Sequence, residues 1–260
     1  MNAVLMRAEA LEKLFGGVKA IEGVNLEIRQ NEILGVIGPN GAGKTTLFNV
    51  LTGFSAPTRG RVFFEDRDVT GKPVYVICNK GIGRTFQNIR LFGQMRVIDN
   101  VVVGMHNRLR THLVVITLKL PSTMREEQEA YVKAGRILHY LGLGDQAGEL
   151  AANLPYGKQR KVEIARALAS DPKLILLDEP SAGMNPQEAI ELMTLIGGIR
   201  KMGPSVVVIE HNMQVVMGIS DRVAVMDFGK KICEGTPEEV RRDERVIEAY
   251  LGREEDTSAP

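Results

Sequence analysis

Tryptophan is absent from this chain, and aromatic residues make up only 5% of it. That scarcity argues against a platform on which nucleic acid bases stack. Neither sign of charge is in excess. The 33 basic and 32 acidic residues speak against a general nucleic-acid-coating role. Cysteine is scarce too: Cys78 and Cys233 have no metal spacing and no close partner. They read as ordinary thiols of a reducing cytosol. No apolar run reaches the roughly 18 residues of a membrane helix, so no segment is expected to span a bilayer. The opening MNAVLMRAEALEKLF carries charge within a few positions and does not read as a signal peptide. A length of 260 residues suits one large or two modest domains with a sizeable core.

Against these absences stands GPNGAGKTT, from Gly38 to Thr46. It fits the spacing G-x-x-x-x-G-K-[ST], with Gly38, Gly43, Lys44 and Thr45 at the fixed places. Glycine lets the backbone curl tightly and turn its N–H groups inward. Lys44 brings a compact positive charge to the β- and γ-phosphates of a nucleotide, and the Thr45 hydroxyl is suited to Mg²⁺. The pattern needs a strand before it and a helix after it. EILGVIG (Glu32 to Gly38) is an apolar run of the buried-strand type. In TTLFNVLTG, Leu47, Val50 and Leu51 fall at helical spacing, with Gly53 as a C-terminal stop. A phosphate would then meet free N–H groups at a helix N-terminus.

Elsewhere the pattern changes along the chain. Val24, Leu26 and Ile28 alternate with Asn25, Glu27 and Arg29, as in a strand with one wet face. VFFEDRDVTG (Val62 to Gly71) reads as strand and turn, so the opening third is expected to be antiparallel β around the first parallel strand. From about Val97 to Leu150 the signal is helical. Tyr131, Ala134, Ile137, Leu138 and Leu141 keep 3-4 spacing, while HLVVITLKL (His112 to Leu120) fits helix or strand. LILLDE, SVVVIE and RVAVMDFG, separated by helical stretches, predict a largely parallel sheet.

LILLDEP (Leu174 to Pro180) places two acids at the C-terminal end of a buried strand, where open α/β sheets bind ligands. Asp178 is suited to hold Mg²⁺ and Glu179 to orient or deprotonate a water, although acids that end strands also serve as solvated caps. His211, after SVVVIE, is placed either to reach the γ-phosphate or to be structural. Gln87 in GRTFQNIRLF either ligates a metal or closes a turn. Phe15, before Gly16-Gly17, either stacks on adenine or fills a core.

The succession of Gly38–Thr46, TFQ, YGKQRKVEIARAL, LILLDEP, SAGMNP and VIEH resembles the ATP-binding cassette (ABC) transporter ATPases from about Met6 to Gly252. The resemblance implies an α/β fold of the P-loop NTPase type, with a mainly parallel core sheet, an antiparallel β-subdomain and an inserted α-helical subdomain. On that basis residues 1–260 form one ATPase domain. About 1–95 and 170–252 make the core, about 96–169 the helical part, and 253–260 a flexible tail.

The same resemblance implies roles residue by residue. ATP is held by Gly38, Pro39, Asn40, Gly41, Ala42, Gly43, Lys44, Thr45 and Thr46, with Phe15 on the adenine. Mg²⁺ is held by Thr45, Gln87 and Asp178, and Glu179 and His211 are catalytic. LPYGK aligns with the family's signature, so Tyr156, Gly157 and Lys158 would cover the γ-phosphate held by a second, identical or paralogous, ATPase subunit in a head-to-tail dimer. Pro155 stands where serine is usual and offers neither hydroxyl nor N–H. Asn185 stands where Asp is frequent and would make a neutral contact across the dimer. Val162, Ile164, Ala165 and Leu168 give the following helix its core face, and its basic residues read as solvated.

LFGGVKAIEGVNLEI, GIGRTFQNIRLFGQM and the YGK signature are most similar to the ATP-binding subunits of branched-chain amino acid importers. The partners so implied are integral membrane permease subunits at the cytoplasmic face of the membrane. Nucleic acid is not among them. The competing readings are an ATPase of lipid or lipopolysaccharide export, a non-transport ABC ATPase, and a non-catalytic regulator that would lack Glu179 or His211.

Overall fold

The computed structural model describes residues 3–106, 121–210 and 213–251. His112–Leu120, His211 and the 253–260 tail fall outside the described residues. The chain opens with a long antiparallel hairpin, β1 (Val4–Phe15) and β2 (Val18–Arg29). In β2 the expected alternation holds, with Val24, Leu26 and Ile28 buried and Asn25 and Glu27 exposed. β1 also pairs with β4 (Arg59–Phe64), which turns through Glu65 and Asp66 into β5 (Arg67–Asp68). Both turn residues have positive φ, 48° and 57°, the backbone of a tight hairpin turn. The four form one antiparallel sheet in the order β2-β1-β4-β5.

The second sheet has the order β10-β9-β3-β8-β7-β6. β3 (Ile33–Ile37), β6 (Ile82–Arg84), β7 (Leu174–Asp178), β8 (Ser205–Ile209) and β9 (Arg222–Asp227) run parallel, and β10 (Lys230–Gly235) returns antiparallel to β9. Every residue of β3, β7 and β8 is buried, as expected for strands covered on both faces. Period-two alternation divides their side chains. Leu174 and Leu176 join a core with Leu47, Phe48 and the antiparallel sheet. Ile175 and Leu177 join a core with Ala134, Leu138, Val162 and Ala165.

The helices fill the two faces. α1 (Lys44–Leu51) follows the phosphate-loop sequence, and α2 (Val74–Asn79) leads into β6. α3 (Val97–Val103), α4 (Pro121–Tyr140) and α5 (Tyr156–Ala169) lie between β6 and β7 in the chain. The helical spacing of Ala134, Ile137, Leu138 and Leu141 buries them all, while Tyr131 instead hydrogen-bonds Asp99 Oδ1 at 2.9 Å. α6 (Pro186–Ile199) and α7 (Met213–Ile219) connect the later strands. α8 (Pro237–Arg242) and α9 (Glu244–Leu251) pack on Ile37, Val223 and Val225 through Val240 and Val246. No helix among the described residues is long and apolar enough to cross a membrane.

Candidate functional site

The loop between β3 and α1 curls through three glycines at positive φ: Gly38 at 149°, Gly41 at 79° and Gly43 at 96°. Space forbids side chains at two of them. A Cβ on Gly38 would lie 2.0 Å from the Met226 carbonyl oxygen, and one on Gly43 2.4 Å from that of Ala20. The loop is thus pressed between β9 and β2, and its shape is set by these neighbours as well as by glycine freedom. Lys44 is buried, and its Nζ donates to the carbonyls of Gly38 at 2.7 Å and Pro39 at 2.9 Å. The ammonium is thereby held over the loop it belongs to.

A cleft of about 440 Å³ brings together Asn40 to Thr46, Gln87 and Glu179. Residues 41 and more positions apart in sequence therefore face one space, because β6 and β7 end on the same side of the sheet as β3. Glu179 continues the ladder, its N–H donating to the Ile209 carbonyl at 3.0 Å. Its φ of 47° is an uncommon backbone for a non-glycine residue and breaks the strand alternation directly after Asp178. Gln87 Nε2 donates to Glu179 Oε2 at 3.0 Å. That bond leaves the Gln87 carbonyl oxygen as the end of the side chain suited to a cation.

Asp178 is 1% exposed. Its Oδ2 accepts from Arg84 Nη2 at 3.0 Å, and its Oδ1 is buried with no hydrogen-bond partner among the described residues. Burial pushes the Asp178 carboxyl above the ordinary carboxylate range; Arg84 pulls it back and Glu179 pushes it up. A buried, unsatisfied carboxylate oxygen is the kind of ligand a divalent cation takes. Asp178 does not itself line the cleft that Thr45 and Gln87 line; together they would supply the carboxylate, hydroxyl and amide oxygens with which proteins accept Mg²⁺ that arrives with phosphate. No cluster of three His, Cys, Asp or Glu suited to a resident metal exists among the described residues.

Other sequence-derived candidates fall elsewhere. Phe15 is 53% exposed at the β1–β2 turn, with Lys13 Nζ 5.0 Å from its ring. It does not line the cleft, whereas its neighbour Val18 does. None of Leu154 to Lys158 lines the cleft of its own chain. Pro155 is the N-cap of α5, and Tyr156 is half exposed. Asn185 caps its own helix: its Oδ1 accepts from the Glu188 N–H at 2.9 Å, and Glu188 returns the bond at 3.0 Å. His211 lies outside the described residues.

The reading of the α5 basic residues as solvated is corrected for Arg160, which is 2% exposed. Its guanidinium donates to the carbonyls of Phe86 (2.6 Å) and Gln87, to the Tyr156 hydroxyl (3.0 Å) and to Glu163 Oε2 (3.2 Å). Glu163 Oε1 accepts from the Arg90 N–H at 2.7 Å, and Arg166 Nη1 donates to the Arg90 carbonyl at 2.7 Å. Positions i, i+3 and i+6 of one helix thus fasten the Phe86–Arg90 backbone. The loop supplies carbonyl acceptors that repay part of the cost of burying the charge.

Two further residues escaped the sequence reading. Phe228, 74% exposed at the tip of the β9–β10 hairpin, lines the cleft. Glu210, buried after β8, accepts from the Ser181 N–H at 2.7 Å and holds the segment that follows Glu179. Only the DFG turn signal in RVAVMDFGKK pointed toward Phe228; nothing local pointed to Glu210.

Residues 21–182 match the ABC transporter family model. Residues 230–256 match a second model, the branched-chain amino acid ATP-binding cassette transporter. The high-affinity branched-chain amino acid transport ATP-binding protein LivG of Salmonella typhimurium is 46% identical over 253 residues, covering 97% of this chain and 99% of that protein. The corresponding BraF of Pseudomonas aeruginosa is 42% identical over 253 residues, with the same coverage. The crystal structure of the ADP conformation of an ATP-binding cassette of an ABC transporter superposes with a TM-score of 0.84 at 34% identity, covering 96% of this chain and 100% of that one. This chain belongs to the ABC transporter family, alongside the ATP-binding proteins of branched-chain amino acid transport.

Proposed function

We propose that this chain is the ATP-hydrolysing subunit of an importer of branched-chain amino acids. The observation that carries the reading is the cleft in which the Gly38–Thr46 loop, Gln87 and Glu179 converge, with Gln87 bonded to Glu179 at 3.0 Å. Lys44 and the loop N–H groups take the phosphates. Thr45, Gln87 and Asp178 would hold Mg²⁺, which when bound neutralises phosphate charge and orients the terminal group. Glu179 accepts a proton from the attacking water or orients it, and His211 assists at the γ-phosphate. Phe15 is one aromatic for the base. Phe228, in the cleft itself, is a second.

The working unit is a head-to-tail pair of ATPase subunits on membrane permease subunits, at the cytoplasmic face of the membrane. Tyr156, Gly157 and Lys158 of one copy cover the nucleotide of the other. Support for that arrangement lies in their absence from the cleft of their own chain and in the exposure of Tyr156. Closure of the pair expels water and completes the site.

Glu179→Gln tests the chemistry. It removes the base while keeping shape and the Gln87 contact. Turnover is expected to fall by at least about a hundredfold with ATP binding retained. Steady-state hydrolysis at the unmodified rate would remove Glu179 from the role.

A further inference from the structure

Arg84, the last residue of β6, is a buried charge that the phosphate-loop chemistry does not use. Its side chain is 6% exposed. Nη2 donates to Asp178 Oδ2 at 3.0 Å, and Nη1 donates to Asn49 Oδ1 at 2.8 Å and Thr52 Oγ1 at 2.9 Å. The guanidinium carbon stands 5.7, 5.3 and 5.2 Å from the ring centres of Phe48, Phe54 and Phe86. Phe54 and Phe86 meet edge to face at 5.2 Å. Three aromatic faces thus surround a planar cation, and Nε finds no acceptor among the described residues.

This is a costly way to fill a core. An apolar side chain of similar volume in place of a buried ion pair is often neutral or stabilising. The charge has a directed use instead. Register puts Arg84 beside Leu176, two residues before Asp178 on the same face of β7, so the fork reaches the carboxylate without distorting either strand. The same fork holds Asn49 of α1, the helix whose first residues are Lys44 and Thr45, and Thr52 at its C-cap. One side chain therefore ties the helix that carries Thr45 to the strand that carries Asp178. It occupies Asp178 Oδ2 and leaves Oδ1 as the unpaired acceptor.

We propose that Arg84 is a positioning residue for the metal half of the nucleotide site: it locks Asp178 with Oδ1 available to Mg²⁺ and sets its separation from Thr45. The proposal rests on the reading that Asp178 serves Mg²⁺. Partners one step behind a metal ligand act by fixing its rotamer, and their loss weakens metal affinity by about ten- to a hundredfold.

The test is binding of an N-methylanthraniloyl-labelled ATP, measured with Mg²⁺ and again in EDTA, for the unmodified protein, R84M, R84K and D178N. R84M is expected to bind in EDTA as the unmodified protein does. The gain in affinity on adding Mg²⁺ should fall by about ten- to a hundredfold. R84K keeps the charge but not the planar fork, and should lose part of the same gain. D178N should lose the gain as well. An R84M protein with an unchanged Mg²⁺ gain, beside a D178N protein that has lost it, overturns the proposal and leaves the reading of Asp178 standing. A D178N protein that keeps the gain overturns both. Equal losses with and without Mg²⁺ in R84M mark a core residue and also overturn it. Where R84M does not fold, R84K decides: an unchanged gain, or one lost together with the EDTA affinity, refutes the assignment.

Discussion

Arg160→Met should uncouple the signature helix from the Gln87 loop, and the cost can be worked from the contacts. The substitution keeps most of the side-chain volume but removes donors to the Phe86 and Gln87 carbonyls, the Tyr156 hydroxyl and Glu163. Glu163 is then left with the Arg90 N–H at 2.7 Å and Arg166 Nη2 at 3.6 Å. Removing one member of a buried pair costs about 3–5 kcal/mol. Burial already pushes the Glu163 carboxyl up, so protonation caps the penalty rather than adding to it. For a chain of this size the loss corresponds to a drop in Tm of about 6–20 °C. Calorimetry without nucleotide, at fixed protein concentration, measures it free of ligand linkage. In R160M/E163L the stranded carboxylate is gone and part of the stability should return, the remainder being lost with the acceptor of the Arg90 N–H and the partner of Arg166. The two loop carbonyls still lack their donors, so ATPase activity should remain low in the double variant. A single variant that melts within about 2 °C of the unmodified protein and hydrolyses ATP at the unmodified rate would refute the latch.

Two further outcomes follow from local chemistry. Asn185→Ala removes the reciprocal cap of α6 and should cost about 1 kcal/mol, read as a lower urea midpoint at unchanged m; an unmoved midpoint would show that the cap contributes nothing. Burial, with a lesser contribution from Asp243, pushes the Cys233 thiol up to about 11. Because the shift is upward, Cys233 stays protonated across the physiological range. Its alkylation by iodoacetamide at pH 7.5 should be slower than that of an ordinary thiol by about tenfold or more, rising with pH beyond pH 9. Peptide mapping by mass spectrometry follows the rate, and a plateau near pH 9 would contradict the shift.

The phosphate loop was legible because its backbone admits few residue types: positive φ at Gly38 and Gly43, with carbonyls 2.0 and 2.4 Å from any Cβ, leaves glycine alone. β3, β7 and β8 were legible because strands covered on both faces read as unbroken apolar runs. β6 was not. It is three residues long with a glycine at its centre, so no period can register, and its place comes from pairing with β7. Asn185 carries a capping signature in N-P-Q-E, but it also stands where the family resemblance places a contact across a subunit boundary, so the chain alone admits both partners.

Arg160 and Glu163 mark the boundary between the two kinds of information. Their i, i+3 spacing is visible in the chain, but a helix presents such a pair equally well to water or to a neighbour. Burial depended on where the Phe86–Arg90 backbone passes, some 73 residues earlier. Arg84 and Asp178, 94 positions apart, met only through the register of β6 against β7. By itself the sequence determined the conformations that sterics and period dictate locally, and with them the phosphate loop, the buried strands and the acids at their ends. The tertiary structure decided which charges lost their water and which partners replaced it, because desolvation is a property of the assembled layers and not of any one segment.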